Sequence, residues 1–107
     1  MERDKEEAFY NRSLERALQI MLAFSMEEQA QSLAQLAETL DLPRATVLRL
    51  CSTLLKYDFL RQDPESKRYS LGLRLFELGS VVFYSFSLRK TSSPYLGQLH
   101  QKLGKTI

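Results

Sequence analysis

Apolar residues recur along this chain in short stripes, separated by polar and turn-forming stretches. Leu14, Ala17, Leu18, Met21 and Leu22 fall at helical spacing, so Leu14 to Phe24 reads as an amphipathic helix. Ser13 stands where its hydroxyl can accept from amides of the first turn. Ser25 to Gln31 reads as a polar connection. Ser32 followed three residues later by Gln35 has the form of a capping box, in which each side chain satisfies a backbone amide of the other. Leu33, Leu36, Ala37 and Leu40 then make one apolar stripe on a short helix that ends near Asp41.

Leu42 precedes Pro43, whose ring pushes it out of helical geometry, and Pro43 suits the first turn of a third helix, where its missing amide costs nothing. Val47, Leu50, Cys51 and Leu54 form the inward stripe of that helix. Arg44, Ala45, Leu48, Arg49, Ser52 and Lys56 lie mostly elsewhere on it. The pattern then turns strand-like. Phe59 to Gln62 and Arg68 to Leu71 are short β-compatible runs joined by Asp63-Pro64-Glu65-Ser66-Lys67, which is turn chemistry. After Gly72, Leu75, Leu78, Val82 and Phe86 mark another helix. Leu88 to Ser93 reads as a joint, and Pro94 opens a last stripe of Tyr95, Leu96, Leu99 and Leu103.

The predicted fold class is therefore mainly α with a small β-hairpin: a winged helix-turn-helix followed by a further helix, a linker helix by the resemblance given below. The expected division is a flexible tail over 1–12, the winged domain over 13–72 and a linker and dimerisation helix over 73–91. A short segment, 92–107, follows.

Charge sharpens this picture. The chain of 107 residues has a formal net charge of only +2, but its charges are unevenly placed. Ala17 to Leu42 holds four acidic residues and no basic one, whereas Pro43 to Ile107 holds eleven basic and four acidic residues. A basic half on a near-neutral chain fits either a localised polyanion-binding face or ordinary solvated surface. No apolar run approaches the roughly 20 residues that a membrane span needs, so no membrane partner is expected, and the charged start is no signal peptide. The single cysteine, Cys51, and single histidine, His100, lie far apart, which argues against a metal site and any internal disulfide. Cys51 on the apolar stripe reads as a small buried hydrophobe, and His100 as an exposed helical residue. Gly72, Gly79, Gly97 and Gly104 are too dispersed for a phosphate loop, and no nucleophile–base set can be assembled. Neither an enzyme nor a cofactor is expected.

The helix, tight turn and basic helix instead suit the major groove of DNA, which admits an α-helix and displays base-specific donors and acceptors. Arg44, Thr46 and Arg49 are the groups placed there, with Ala45 small enough for close approach and Ser52 a turn further on. Lys67 and Arg68 on the wing, and Arg61 on its first strand, would meet phosphates or the minor groove. The alternative is a winged helix used as a protein-interaction or dimerisation module.

The segments SLERALQIMLAFS, SLAQLAETLDLPRATVLRLCSTL and FLRQDPESKRYSLGLRLFELG, from Ser13 to Gly79, resemble the IclR family of bacterial transcriptional regulators. The stretch Ser92 to Ile107 resembles the start of that family's effector-binding domain. The resemblance implies operator binding, a homodimer formed through the linker helix (Leu75, Leu78, Val82, Phe86), and a small-molecule effector sensed in a separate domain. It also implies a palindromic double-stranded operator and a cytoplasmic, nucleoid-associated protein. Carried over by position, Arg44, Ala45, Thr46 and Arg49 match the recognition helix, and Lys67 and Arg68 the wing. The chain departs from the family pattern at three places. Asp58 and Lys67 stand where glycine is common, which predicts a differently built exit from the third helix and a differently shaped wing tip. Leu48 replaces a residue that is often polar.

Overall fold

The order of elements is α1 (Arg12–Leu22), α2 (Leu33–Leu40), α3 (Arg44–Lys56), β1 (Leu60–Gln62), β2 (Tyr69–Leu71) and α4 (Leu73–Arg89), in a computed structural model that describes residues 9–89. The chain falls into two units that divide between Leu75 and Phe76. Of the expected tail only its last four residues are described. The helix opened by Pro94, His100 and the segment 92–107 lie outside the described residues.

Helix α1 begins two residues earlier than Ser13 predicts. Asn11 is its N-cap, with extended backbone and a side-chain oxygen that accepts from the Leu14 amide at 2.9 Å. Its inward face is also rotated from the expected one. Ile20 is buried, as is Phe24 just past the end of the helix, and Ala17 and Met21 pack against this core, whereas Leu14, Leu18 and Leu22 are 60%, 46% and 81% exposed. The helix carries two apolar stripes, and helical spacing alone does not tell which one meets the core.

Helix α2 forms as its sequence dictates. The Ser32 hydroxyl accepts from the Gln35 amide at 3.1 Å and the Gln35 side chain accepts from the Ser32 amide at 2.8 Å. Leu36 and Ala37 are buried, and Leu33 and Leu40 pack beside them. Asp41 ends the helix in left-handed geometry, φ 55° and ψ 50°, a conformation that aspartate adopts more readily than most residues. Pro43 is the N-cap of α3 rather than its first helical residue. Only Asp41, Leu42 and Pro43 therefore separate the two helices.

The core of the first unit is Ile20, Phe24, Leu36, Ala37, Val47, Cys51, Leu54, Leu60 and Tyr69. Every element from α1 to β2 contributes to it, and α3 packs against α1, α2 and β1. Burying side chains of this kind contributes on the order of 1.5–3 kcal/mol each.

The hairpin is antiparallel, with Leu60 opposite Leu71, Arg61 opposite Ser70 and Gln62 opposite Tyr69. Strand β2 has a second partner. Gln31 donates from its amide to the Tyr69 carbonyl at 2.9 Å and accepts from the Tyr69 amide at 2.7 Å. Gln31 is 2% exposed, and its side-chain amide donates to the Ala23 carbonyl at 2.7 Å. The stretch read as a simple polar connection thus ends in a buried residue that joins the end of α1 to the hairpin. Deleting that side chain would take the donor from a part-buried carbonyl, a loss on the order of 1 kcal/mol.

Asp58 and Lys67 both adopt left-handed backbone, φ 68° and φ 64°. The expected differences at these two positions are therefore not seen in the backbone: each side chain tolerates the conformation that glycine usually takes. Gly72, between β2 and α4, is needed for a different reason. Its amide donates to the Phe59 carbonyl at 2.8 Å. An added Cβ would meet the Asp58 carbonyl oxygen, with the Asp58 carbonyl carbon at 2.7 Å and that of Phe59 at 2.9 Å.

In α4, Leu75 is half-buried in the first unit. In the second unit Leu78, Val82 and Phe86 are exposed, as are Phe76, Val81, Phe83 and Tyr84.

Candidate nucleic-acid interface

Helix α3 has two distinct sides. Val47, Cys51 and Leu54 are buried on one of them. Burial pushes the Cys51 thiol up to about 11, so it stays protonated at neutral pH and behaves as a small apolar side chain. Arg44, Ala45, Leu48, Arg49, Ser52 and Lys56 are exposed. Of the expected set only Thr46 is half-buried, in the first turn of the helix. With i and i+4 one above the other, the exposed side contains two adjacent rows, Arg44–Leu48–Ser52 and Ala45–Arg49–Thr53.

The hydroxyls on this helix are partly engaged. Ser52 donates to the Leu48 carbonyl at 2.8 Å and Thr53 to the Arg49 carbonyl at 3.2 Å. Ser52 therefore presents lone pairs outward, and its role would be that of an acceptor. The Lys56 ammonium lies 5.7 Å from the Tyr57 ring centroid, within reach of a cation–π contact.

The wing is built by Asp63. Its carboxylate accepts from the Ser66 amide at 2.6 Å and the Glu65 amide at 3.1 Å. Hydrogen bonds from Ser66, followed by that from Glu65 and the charge of Lys67, hold the Asp63 carboxyl below its usual range. The Asp63 amide donates to the Arg68 carbonyl and the Lys67 amide to the Asp63 carbonyl, both at 2.9 Å. Lys67 and Arg68 both lie in the loop before β2, so Arg68 is a loop residue rather than the start of the strand. Their side chains are exposed. Arg61 is fastened across the hairpin instead, its Nε donating to the Ser70 hydroxyl at 3.2 Å.

The structure thus gathers Arg44, Ala45, Thr46, Arg49 and Ser52 on one helix and Lys67 with Arg68 on one loop of the same unit. The backbone groups of Lys67 and Arg68 bond to Asp63, Gln62 and Ser66, within the hairpin. Leu48, exposed between Arg44 and Ser52, is a large apolar residue of this surface to which the sequence pattern gives no role. Gln31 was not legible either, because its pairing with Tyr69 is remote in sequence. Among the described residues no three His, Cys, Asp or Glu side chains are grouped to hold a metal, and no helix is long and apolar enough to cross a membrane.

A short helix, a three-residue turn, a core-anchored helix with a cationic outer side and a following antiparallel hairpin define a winged helix-turn-helix domain. Residues 13–64 match the IclR helix-turn-helix domain. The chain is 38% identical over 95 residues to the HTH-type transcriptional regulator TsaQ1/TsaQ2 of Comamonas testosteroni, an alignment covering 89% of this chain and 34% of the relative. It is 31% identical over 94 residues to the HTH-type transcriptional regulator XynR of Escherichia coli, covering 88% and 37%. The crystal structure of an IclR family transcriptional regulator from Brucella abortus superposes with a TM-score of 0.70 at 30% identity, over 79% of this chain and 32% of that one. Residues 13–64 are thus an IclR helix-turn-helix domain, and the relatives that the chain matches are transcriptional regulators, not enzymes. The chain spans about a third of the length of these curated relatives.

Proposed function

We propose that this chain reads double-stranded DNA sequence-specifically, as the operator-binding part of a dimeric, effector-responsive bacterial regulator. The observation that carries this reading is the two-sidedness of α3. Its inner side is fixed in the core, while Arg44, Ala45, Arg49 and Ser52 stand exposed on the other. Thr46 adds a hydroxyl at the helix start. Pro43 supplies no side-chain cap, and with the Thr46 amide bonded to the Pro43 carbonyl it is the Arg44 and Ala45 amides that would meet a phosphate oxygen. Lys67 and Arg68 on the wing would add phosphate contacts that raise affinity without reading sequence.

Duplex binding measured at two salt concentrations tests the proposal. Affinity is expected to fall steeply with salt, by on the order of 10³-fold or more between about 50 and 200 mM for six or more phosphate contacts. No measurable binding at low salt would instead fit a protein-interaction module.

The dimer is assigned to Leu75, Leu78, Val82 and Phe86 on α4. The last three are exposed although large and apolar, which supports a partner for this stripe. Val82→Asp together with Phe86→Asp is expected to convert the chain from dimer to monomer in sedimentation. An unchanged dimer would remove α4 from the interface. A two-fold dimer implies a palindromic operator. Response to a small-molecule effector through a domain beginning over 92–107, and a place in the cytoplasm at the nucleoid, rest on the family resemblance.

A further inference from the structure

We propose that Leu48 is a specificity-determining residue that reads the C5 methyl group of a thymine in the major groove; this rests on the DNA-binding reading above.

Leu48 is 46% exposed in the middle of α3. The core side of the helix is already filled by Val47, Cys51 and Leu54, so folding does not require a leucine on this row. A single exposed leucine is unremarkable on most surfaces. Here the position matters. Leu48 sits one turn from Arg44 and one turn from Ser52, and beside Ala45 and Arg49, all of them exposed. The Ser52 hydroxyl points its proton back at the Leu48 carbonyl. The Ser52 hydroxyl therefore offers no donor over Leu48. The row runs guanidinium, apolar surface, acceptor oxygen.

The major groove offers one apolar feature, the thymine methyl. An isobutyl group pressed against that methyl removes apolar surface from water on both partners. The same group over cytosine N4 or guanine O6 and N7 would strip those atoms of water and offer no hydrogen bond in return. Leu48 thus favours thymine twice, by attraction and by exclusion. The small side chain of Ala45, three residues before it, lets the helix approach closely enough for the contact to form.

The test uses the 107-residue chain and its Leu48→Ala variant. Alanine on an exposed helix position favours the helix, so the variant is expected to keep its thermal melting point. Each protein selects duplexes from a random pool at low salt. In the duplex the chain selects, every thymine is then replaced singly by deoxyuridine, which lacks only the methyl. The expected result is one thymine position per half-site where deoxyuridine weakens the chain about fourfold, the worth of one methyl taken out of water. At that position the Leu48→Ala variant should lose nothing, and its own selected sites should show no thymine preference there. The inference is overturned if deoxyuridine weakens both proteins equally or neither. Absence of duplex binding by both proteins would overturn the DNA-binding reading, and this inference with it.

Discussion

Gly72→Ala is expected to destabilise the winged domain by about 3 kcal/mol, at the upper end of what overpacking costs, and to lower its melting temperature by roughly 10–20 °C. Gly72 has no left-handed backbone to justify it, so the expected loss is purely steric. The atoms its Cβ would meet are the carbonyl groups of Asp58 and Phe59, not the ends of flexible side chains. Relief requires moving backbone. That same backbone makes the Gly72–Phe59 bond and the bond from the Arg74 amide to the Asp58 carbonyl at 3.1 Å. The wing would separate from the exit of α3 and the start of α4 would shift. Gly79 supplies the contrast, since nothing lies within 4 Å of its would-be Cβ. There alanine is expected to stabilise the helix by about 0.5–1 kcal/mol. Thermal melting of the two variants checks both signs. A Gly72→Ala protein that melts with the parent would show that the close approach does not exist.

Arg49→Ala is expected to weaken binding to the selected operator by about 1–3 kcal/mol while affecting random duplex far less. Arg49 is exposed one turn after Ala45 and away from the buried stripe. A guanidinium in that position reaches past a small neighbour and can bond two acceptors on a guanine edge. Titrations against operator and random duplex separate the outcomes. Equal weakening on both would make Arg49 a phosphate contact, with the salt slope reduced by about 1. No weakening on either would remove it from the interface.

Much of this architecture is written locally in the sequence. The Ser32–Gln35 box, the halt before Pro43 and the stripe of Val47, Cys51 and Leu54 each depend on residues within a turn or two of one another. For that reason the exposed side of α3, and with it Arg44, Ala45, Arg49 and Ser52, was legible by subtraction. What escaped was set by distant partners. The choice between the two stripes of α1 is made by α2 and α3, against which the helix packs with Ile20 buried while Leu14 and Leu18 stay exposed. Gln31 is buried where its backbone pairs with the amide and carbonyl of Tyr69, far along the chain. The direction of the Ser52 hydroxyl belongs to the folded helix, not to the residue type. At Asp58 and Lys67 the backbone follows the path of the fold against residue preference, which shows that packing around the α3 exit and the turn set by Asp63 outweigh the strain.

The pairing of Tyr69 with Gln31 also bears on how safely the hairpin can stand at the surface. Because β2 lies between β1 on one flank and Gln31 on the other, β1 is left as the outermost strand among the described residues. It is three residues long, and two of them, Arg61 and Gln62, are polar and solvated. So brief and charged a border is a poor template for a stray β-segment from another molecule. The domain can thus extend a wing without exposing a nucleus for aggregation.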